Sequence, residues 1–302
     1  MLRRFYALLA VCLSLLALPA AAYTPTADTF LYKISKSGRP DSYLIGTIHI
    51  GRTGERLPVA YRRALQRTAQ LVVESDADAL TDAQERRIAA MMHSPVPLKQ
   101  SVGAEKMHTL RRITRHQQQL SAINGDTTLK PWALALSLQT LYQPDGFSLD
   151  HGIDHLLIRA AKSQGKSVIA LETHEPLAYF AALPEDAVLR SIDSFIRHHR
   201  NFAADTRQLA ADYRRGRARK IWAEISNPQH ELRFLPKQDH AVWENLLYTR
   251  LLTERNQNWL PQIATHLAER PTLIAVGAAH LFGTQGMIHR LRQAGYTVEP
   301  VK

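Results

Sequence analysis

The sequence predicts an α/β protein, with a central mixed sheet formed by its N- and C-terminal segments and a large helical insert or cap between them. Three observations predict it. Short apolar runs with strand character lie close to both ends of the chain, helical patterns fill about 81–269 apart from one apolar run, and no Gly-, Ser- or Pro-rich linker or fixed-period repeat divides the chain. Residues 23–302 are therefore read as one domain with a helical middle, not as two separate domains.

The elements follow in order from the N-terminus. Arg3 and Arg4 precede an apolar run from Phe5 to Leu18, then Pro19 and Ala20-Ala21-Ala22. That order is a secretory signal peptide over 1–22, with cleavage expected before Tyr23 and a periplasmic or secreted product. The run is shorter than the ~20 residues of a membrane-spanning helix. Cys12 is not a lipidation site, because Val11 precedes it and Leu13, Leu15 and Leu16 continue the apolar run. Phe30-Leu31-Tyr32-Lys33-Ile34 and Tyr43-Leu44-Ile45-Gly46-Thr47 then read as a hairpin turning at Gly38-Arg39-Pro40. Pro58 opens a helix through about Thr68, and Leu71-Val72-Val73-Glu74 is a short strand. Helical patterns run from Thr81 to Gln164, broken near Pro95-Val96-Pro97, Asn124-Gly125-Asp126 and Pro144-Asp145-Gly146. Strand character returns at Val168-Ile169-Ala170-Leu171, followed by arginine-rich helices over Pro184 to Ser226 and Asp239 to Glu269. Strand Thr272-Leu273-Ile274-Ala275-Val276, a helix from about Thr284 to Ala294, and strand Tyr296-Thr297-Val298-Glu299 close the pattern.

Cys12 is the only cysteine, so the processed chain can have no disulfide and no thiolate metal ligand. Any metal must be held by His, Asp or Glu. The formal charge is +11, two lower without Arg3 and Arg4, and is concentrated in clusters such as Arg111-Arg112 and Arg214-Arg215-Gly216-Arg217-Ala218-Arg219-Lys220. In an exported protein these read as solvated helix faces, or as a weak contact with an anionic envelope surface, and not as a nucleic-acid interface.

Open α/β sheets bind ligands beyond the carboxyl ends of their strands. Four residues fit that rule together: His49 after Tyr43-Leu44-Ile45, Glu74 after Leu71-Val72-Val73, Glu172 after Val168-Ile169-Ala170-Leu171, and His280 after Leu273-Ile274-Ala275-Val276. Two imidazoles with one or two carboxylates suit a divalent ion such as Zn, Mn or Co. Gly46 and Gly277, each three residues before its histidine, are expected to allow a tight turn and close backbone approach. About one Gly-x-x-His match is expected by chance. The chain has four, and the other two, Gly152 to His155 and Gly286 to His289, sit in helical context and are read as helix starts. Arg255 is a candidate for stabilising an oxyanion or holding a peptide carboxylate, with Asn256 orienting neighbours. Asp154, early in a helix after Gly152, reads as a helix-start carboxylate or a site residue. His108, His116 and His198-His199 read as parts of solvated helix faces.

The ordered set of segments resembles the TraB/GumN family: Tyr43-Leu44-Ile45-Gly46-Thr47-Ile48-His49, Val72-Val73-Glu74, Gly152-Ile153-Asp154, Ala170-Leu171-Glu172-Thr173, Glu254-Arg255-Asn256, Val276-Gly277-Ala278-Ala279-His280-Leu281 and Gly295-Tyr296-Thr297-Val298. That family includes the animal Tiki proteins, regarded as metal-dependent proteases that act near the N-termini of Wnt ligands. The resemblance implies a metal-dependent peptidase fold, with His49, Glu74 and His280 at the positions of the paired histidines and glutamate, and a peptide or protein as substrate. Pro176 departs from it, standing where a glutamine-rich stretch is expected.

Other hydrolytic signatures are absent. No His-Glu-x-x-His or Gly-x-Ser-x-Gly occurs, and Gly165-Lys166-Ser167 lacks the first glycine of a phosphate loop and precedes a strand instead of following one. The expected function is thus an exported metal-dependent hydrolase in which Glu74 and Glu172 divide the roles of ligand and base in an order the sequence leaves open. Two rivals stand beside it: a non-catalytic protein binding a peptide or haem-like ligand, and a metal-free hydrolase with a histidine base, similar to the erythromycin-esterase-like proteins.

Overall fold

Residues 24–124 and 127–301 are described by a computed structural model. The expected signal peptide with its cleavage site at Tyr23, and Gly125-Asp126 of the predicted helix break, lie outside the described residues.

The first hairpin forms as its sequence predicts. Strands β1 (Leu31–Ser35) and β2 (Ser42–Thr47) pair antiparallel with Leu31 opposite Ile45. Gly38 holds φ at 73° in the turn between them, a conformation that a Cβ disfavours. A two-residue strand β3 (Gly51–Arg52), helix α1 (Val59–Gln66) and β4 (Gln70–Val73) follow.

The helical insert begins with α2 (Asp82–Met92), started by a capping box between Thr81 and Gln84. Next come α3 (Ala104–Thr114) and α4 (Pro131–Leu141). Helix α4 carries Pro at its first turn and is buried on nearly every side from Trp132 to Leu138, as befits a helix inside the cap. A second short strand, β5 (Phe147–Ser148), pairs with β3 in a ribbon that the sequence pattern did not reveal, and α5 (Ile153–Ser163) leads to β6 (Ser167–Ala170).

The long helix α6 (Glu185–Arg214) packs on α4 and is followed by α7 (Ala218–Ile225). Helix α8 (His240–Glu244) runs on through a π-helical segment, Asn245–Glu254, into α9 (Arg255–Glu269). The chain returns to the sheet with β7 (Thr272–Gly277), α10 (Met287–Gln293) and β8 (Thr297–Pro300).

The main sheet has the order β6-β4-β7-β2-β1-β8. Strands β6, β4, β7 and β2 are mutually parallel, while β1 runs antiparallel to both β2 and β8. The sheet is therefore mixed, as predicted, and five of its six strands come from the two ends of the chain, while β6 is contributed from within the helical middle. Every residue of β2, β4 and β7 is buried, which is why these strands read as nearly continuous apolar runs instead of alternating. One hydrophobic cluster surrounds the sheet and a second fills the helical cap, with Ile225 packed against both.

Registers put four strand ends on one edge. Thr47 pairs with Gly277, and Val73 lies beside both Ala275 and Ala170. The residues just beyond, His49, Glu74, Glu172 and His280, accordingly emerge at the carboxyl ends of parallel strands, under the helical cap.

Candidate active site

The site is built around a buried guanidinium. Arg255 opens α9 directly after the π-helical segment, whose widened turns set the direction in which the next residues face. Its Nη2 donates to Glu74 Oε2 at 2.7 Å and also to Glu172 Oε1, while its Nε donates to Glu172 Oε2 at 3.1 Å. The guanidinium carbon lies 4.5 Å from the centre of the Trp259 ring, and the Trp259 indole N–H donates to Glu172 Oε2 at 3.1 Å. Arg255 is 2% exposed, so its charge is compensated inside the protein by two carboxylates and not by water.

Glu74 receives a second donor, the backbone N–H of Gly277, at 2.5 Å from Oε1. Burial would raise its pKa, but the charges of Arg255, His280 and His49 and the Gly277 hydrogen bond prevail and hold it at about 2. Glu172 moves the other way. Its desolvation outweighs Arg255 and the Trp259 hydrogen bond, with Glu74 adding like-charge repulsion, so its pKa rises. Two carboxylates at equivalent strand ends thus acquire opposite protonation tendencies.

His280 is 1% exposed and fixed by Asn256. The Asn256 amide NH2 donates to the carbonyls of Gln285 at 2.8 Å and His280 at 3.3 Å, which leaves its Oδ1 facing His280 Nδ1 at 2.8 Å. Asn256 Oδ1 can only accept, so His280 Nδ1 carries the proton and Nε2 keeps a lone pair. That lone pair faces Arg255 Nη1 at 3.2 Å, with Glu74 Oε1 3.7 Å away. Burial, assisted by the positive charges of Arg255 and His49 and opposed by Glu74, lowers the His280 pKa to about 3, so the imidazole stays neutral.

His49 is held in the same manner by a different partner. Its Nδ1 donates to Asp154 Oδ2 at 2.5 Å, and the residue is 5% exposed. Asp154 reaches it because α5 begins against the His49 backbone. Ile153 N–H donates to the Ile48 carbonyl at 2.8 Å, and a Cβ on Gly152 would lie 2.4 Å from the His49 carbonyl oxygen. Only glycine fits there.

Gly46 is constrained similarly, since a Cβ would meet Leu281 Cδ2 at 2.8 Å and the Ala278 Cα at 3.0 Å. Neither Gly46 nor Gly277 is among the glycines at positive φ. Gly46 thus serves close packing, and neither glycine makes the left-handed turn that glycine alone adopts readily.

The structure therefore gathers Glu74, Glu172, Arg255, Asn256 and His280 into one hydrogen-bonded network and links His49 to it through its charge on Glu74 and His280. Sequence reasoning undervalued Asp154 and missed Trp259. The signal for Asp154 was its place in the Gly152-Ile153-Asp154 segment; Trp259 gave none, being one apolar residue in a long helix. The other histidines lie elsewhere. His108 and His116 are exposed, while His198 stacks on Phe234 and His199 lies edge-on to Tyr142, so the latter pair is half-buried instead of fully solvated.

Among the described residues, no group of three or more His, Cys, Asp or Glu side chains is gathered closely enough to hold a metal ion. The donor chemistry nonetheless fits one. Both imidazoles are tied at Nδ1 by an outer partner, as ligating histidines commonly are. The 3.7 Å between His280 Nε2 and Glu74 Oε1 is near the ~3.4 Å that separates two ligands on one tetrahedral ion. As the side chains stand, the positive charge facing these two groups is that of Arg255.

The basic run Arg214 to Lys220 is largely compensated within the chain. Arg217 and Lys220 pair with Asp212, Lys220 also with Glu224, Arg219 with Asp28 and Arg214 with Glu55. Among the described residues no helix is long and apolar enough to cross a membrane.

Comparison with known proteins gives these observations a context. The TraB/PrgY/gumN family profile matches residues 30–300. Uncharacterized protein YbaP of Escherichia coli (strain K12) is 28% identical over 262 residues, covering 86% of this chain and 90% of that protein, and the YbaP of Shigella flexneri matches to the same extent. Metalloprotease TIKI2 of Danio rerio is 24% identical over a 329-residue alignment that covers 90% of this chain and 61% of that protein. No solved structure matches the chain.

Proposed function

Because the chain belongs to the TraB/PrgY/gumN family, we propose that it is an exported metal-dependent hydrolase acting on peptide bonds, with His49, Glu74 and His280 as the metal-holding residues. One observation carries this reading: at a single sheet edge two histidines are each fixed through Nδ1, by Asp154 and by Asn256, beside a glutamate whose pKa is held at about 2. The likeness to a protein named a metalloprotease supports it.

When bound, a divalent ion would supply Lewis acidity toward a scissile carbonyl and toward water. The chain's own groups do the rest. Glu74, anionic at any physiological pH, suits a ligand better than a proton acceptor. Glu172, with its raised pKa, suits proton transfer, and Arg255, whose guanidinium lies between the two carboxylates, is the group proposed to steady negative charge developing on the carbonyl oxygen. The substrate is a peptide or protein met in the periplasm or outside the cell, where the remaining basic surface can touch anionic envelope polymers weakly.

A second reading is favoured by one contact. With Arg255 against both His280 and Glu74, a metal-free hydrolase could use a neutral histidine directly as base. Hydrolysis of a peptide library by the processed protein, with and without chelator and with metal content measured in parallel, separates these. Chelator-sensitive cleavage restored by Mn, Co or Zn supports the metal-dependent reading. Cleavage indifferent to chelation favours the histidine base, and no cleavage of any peptide favours a binding protein.

A further inference from the structure

Beside the segments that carry His49 and Asp154 lies a pocket of about 180 Å³ that the proposed chemistry does not use. Its walls are apolar: Ile48 and Ile50, which flank His49 in the chain, Ile153, which precedes Asp154, and Tyr61. Tyr213 completes it, hydrogen-bonded to Tyr61 at 3.1 Å and donating to the Gly46 carbonyl at 2.5 Å, so the phenols are satisfied and present their rings to the space. A cavity of this size compares with the ~150 Å³ engineered apolar cavity that takes up benzene.

The rim is basic. Arg56 is exposed and makes no ion pair among the described residues, and Arg214 is held only by a 3.8 Å contact to Glu55, while the rim's other acid, Asp28, is engaged by Arg219. The Arg56 guanidinium thus stands without a carboxylate partner among the described residues at the mouth of a largely apolar pocket. An Arg with no partner beside such a mouth recognises an anion attached to an apolar body.

We propose that this cavity is a binding site for a small amphipathic carboxylate, with a phenyl-sized apolar group between Ile48, Ile50, Ile153 and Tyr213 and the carboxylate at Arg56 and Arg214. The ligand chemistry is shared by free aryl or alkyl acids and by the free C-terminus of a peptide ending in an apolar residue. Because the same walls carry the backbone of His49 and the start of α5, occupancy bears on the segments that hold the His49–Asp154 pair. The site stands independently of any hydrolysis.

The test is binding of 3-phenylpropionate, its amide, and a tripeptide ending in Phe with a free or amidated C-terminus to the full processed protein, by calorimetry and ligand-observed NMR. Saturable binding of the free acids and loss with the amides is expected, and the acid or the tripeptide binding more tightly identifies the source. Arg56→Glu should weaken the bound acid about tenfold. Ala210→Phe, which fills the chamber from α6, should abolish binding while circular dichroism and melting show a folded protein. Equal binding of acids and amides, binding indifferent to both substitutions, or no binding by the folded wild-type chain overturns the proposal.

Discussion

Asp154 accepts the Nδ1 proton of His49 across 2.5 Å although 105 positions separate the two residues. A histidine bound in this way has its ring plane and tautomer fixed before any ligand arrives. Replacing Asp154 by Asn keeps the shape but removes the obligatory acceptor. Such outer partners typically contribute about 10–100-fold to metal affinity or activity. We expect Asp154→Asn to lower divalent-ion affinity and peptide cleavage together within that range, with an unchanged melting profile. Full activity in this variant would show that His49 is oriented by its strand alone.

His49 and His280, if they serve one ion, should behave as a unit. Either His→Ala change is expected to abolish cleavage nearly completely and the double change to cost little more, because groups acting together are strongly non-additive. Metal content measured on all three variants should fall in parallel. Costs that multiply would assign the two histidines separate roles.

Arg255 is the counter-charge of two buried carboxylates, so Arg255→Met leaves Glu74 and Glu172 facing each other unpaired. Breaking a buried pair from one side is expected to cost about 3–5 kcal/mol, visible as a lowered urea midpoint. Adding Glu172→Gln to Arg255→Met should recover part of that loss, which a purely steric role for the arginine would not allow.

Acid should weaken the fold through this site. The pKa of His280 falls from 6.5 to about 3 on folding, so between these values the unfolded chain binds the proton and the native chain does not. Stability contributed by neutral His280 is complete above pH 6.5 and is lost progressively toward pH 3. Glu74, lowered from 4.5 to about 2, acts with the same sign in its own window, present above pH 4.5 and lost toward pH 2. Glu172, with a raised pKa, opposes them above its ordinary value. Urea titrations at a series of pH values should show wild-type stability declining below pH 6.5, with His280→Gln giving a flatter profile.

Gly152→Ala places a methyl 2.4 Å from the His49 carbonyl oxygen, where backbone must shift. The expected cost is about 1–3 kcal/mol, accompanied by loss of the His49–Asp154 hydrogen bond, readable from the imidazole resonances.

The sheet was largely legible in the sequence because its buried strands are short, continuous apolar runs: Leu71-Val72-Val73 and Leu273-Ile274-Ala275-Val276 can hardly be anything else between polar helices. The positions of His49, Glu74, Glu172 and His280 were legible for the same reason, as the glutamates stand immediately after such a run and the histidines four residues beyond one. The β3–β5 ribbon was not, since two residues carry no periodicity. Nor was the pairing of Arg255 with both glutamates: an arginine in a polar helix looks solvated until the π-helical segment before it and the strand order around it are known. Asp154 was visible as a helix-start carboxylate or a site residue but not as the partner of His49, because a hydrogen bond across 105 positions leaves no local trace.

Strand β7 lies between β4 and β2 but is synthesised some two hundred residues after either. No arrangement of the preceding chain can join the hairpin half of the sheet to the β4–β6 half, so the sheet closes only once residues 272–277 have emerged. Contacts so distant in sequence make assembly slow. The nascent polypeptide therefore lacks both Gly277, which fastens Glu74, and His280 until the last-made strand of the parallel set has emerged, so the buried network around Arg255 cannot form strand by strand as the chain is made.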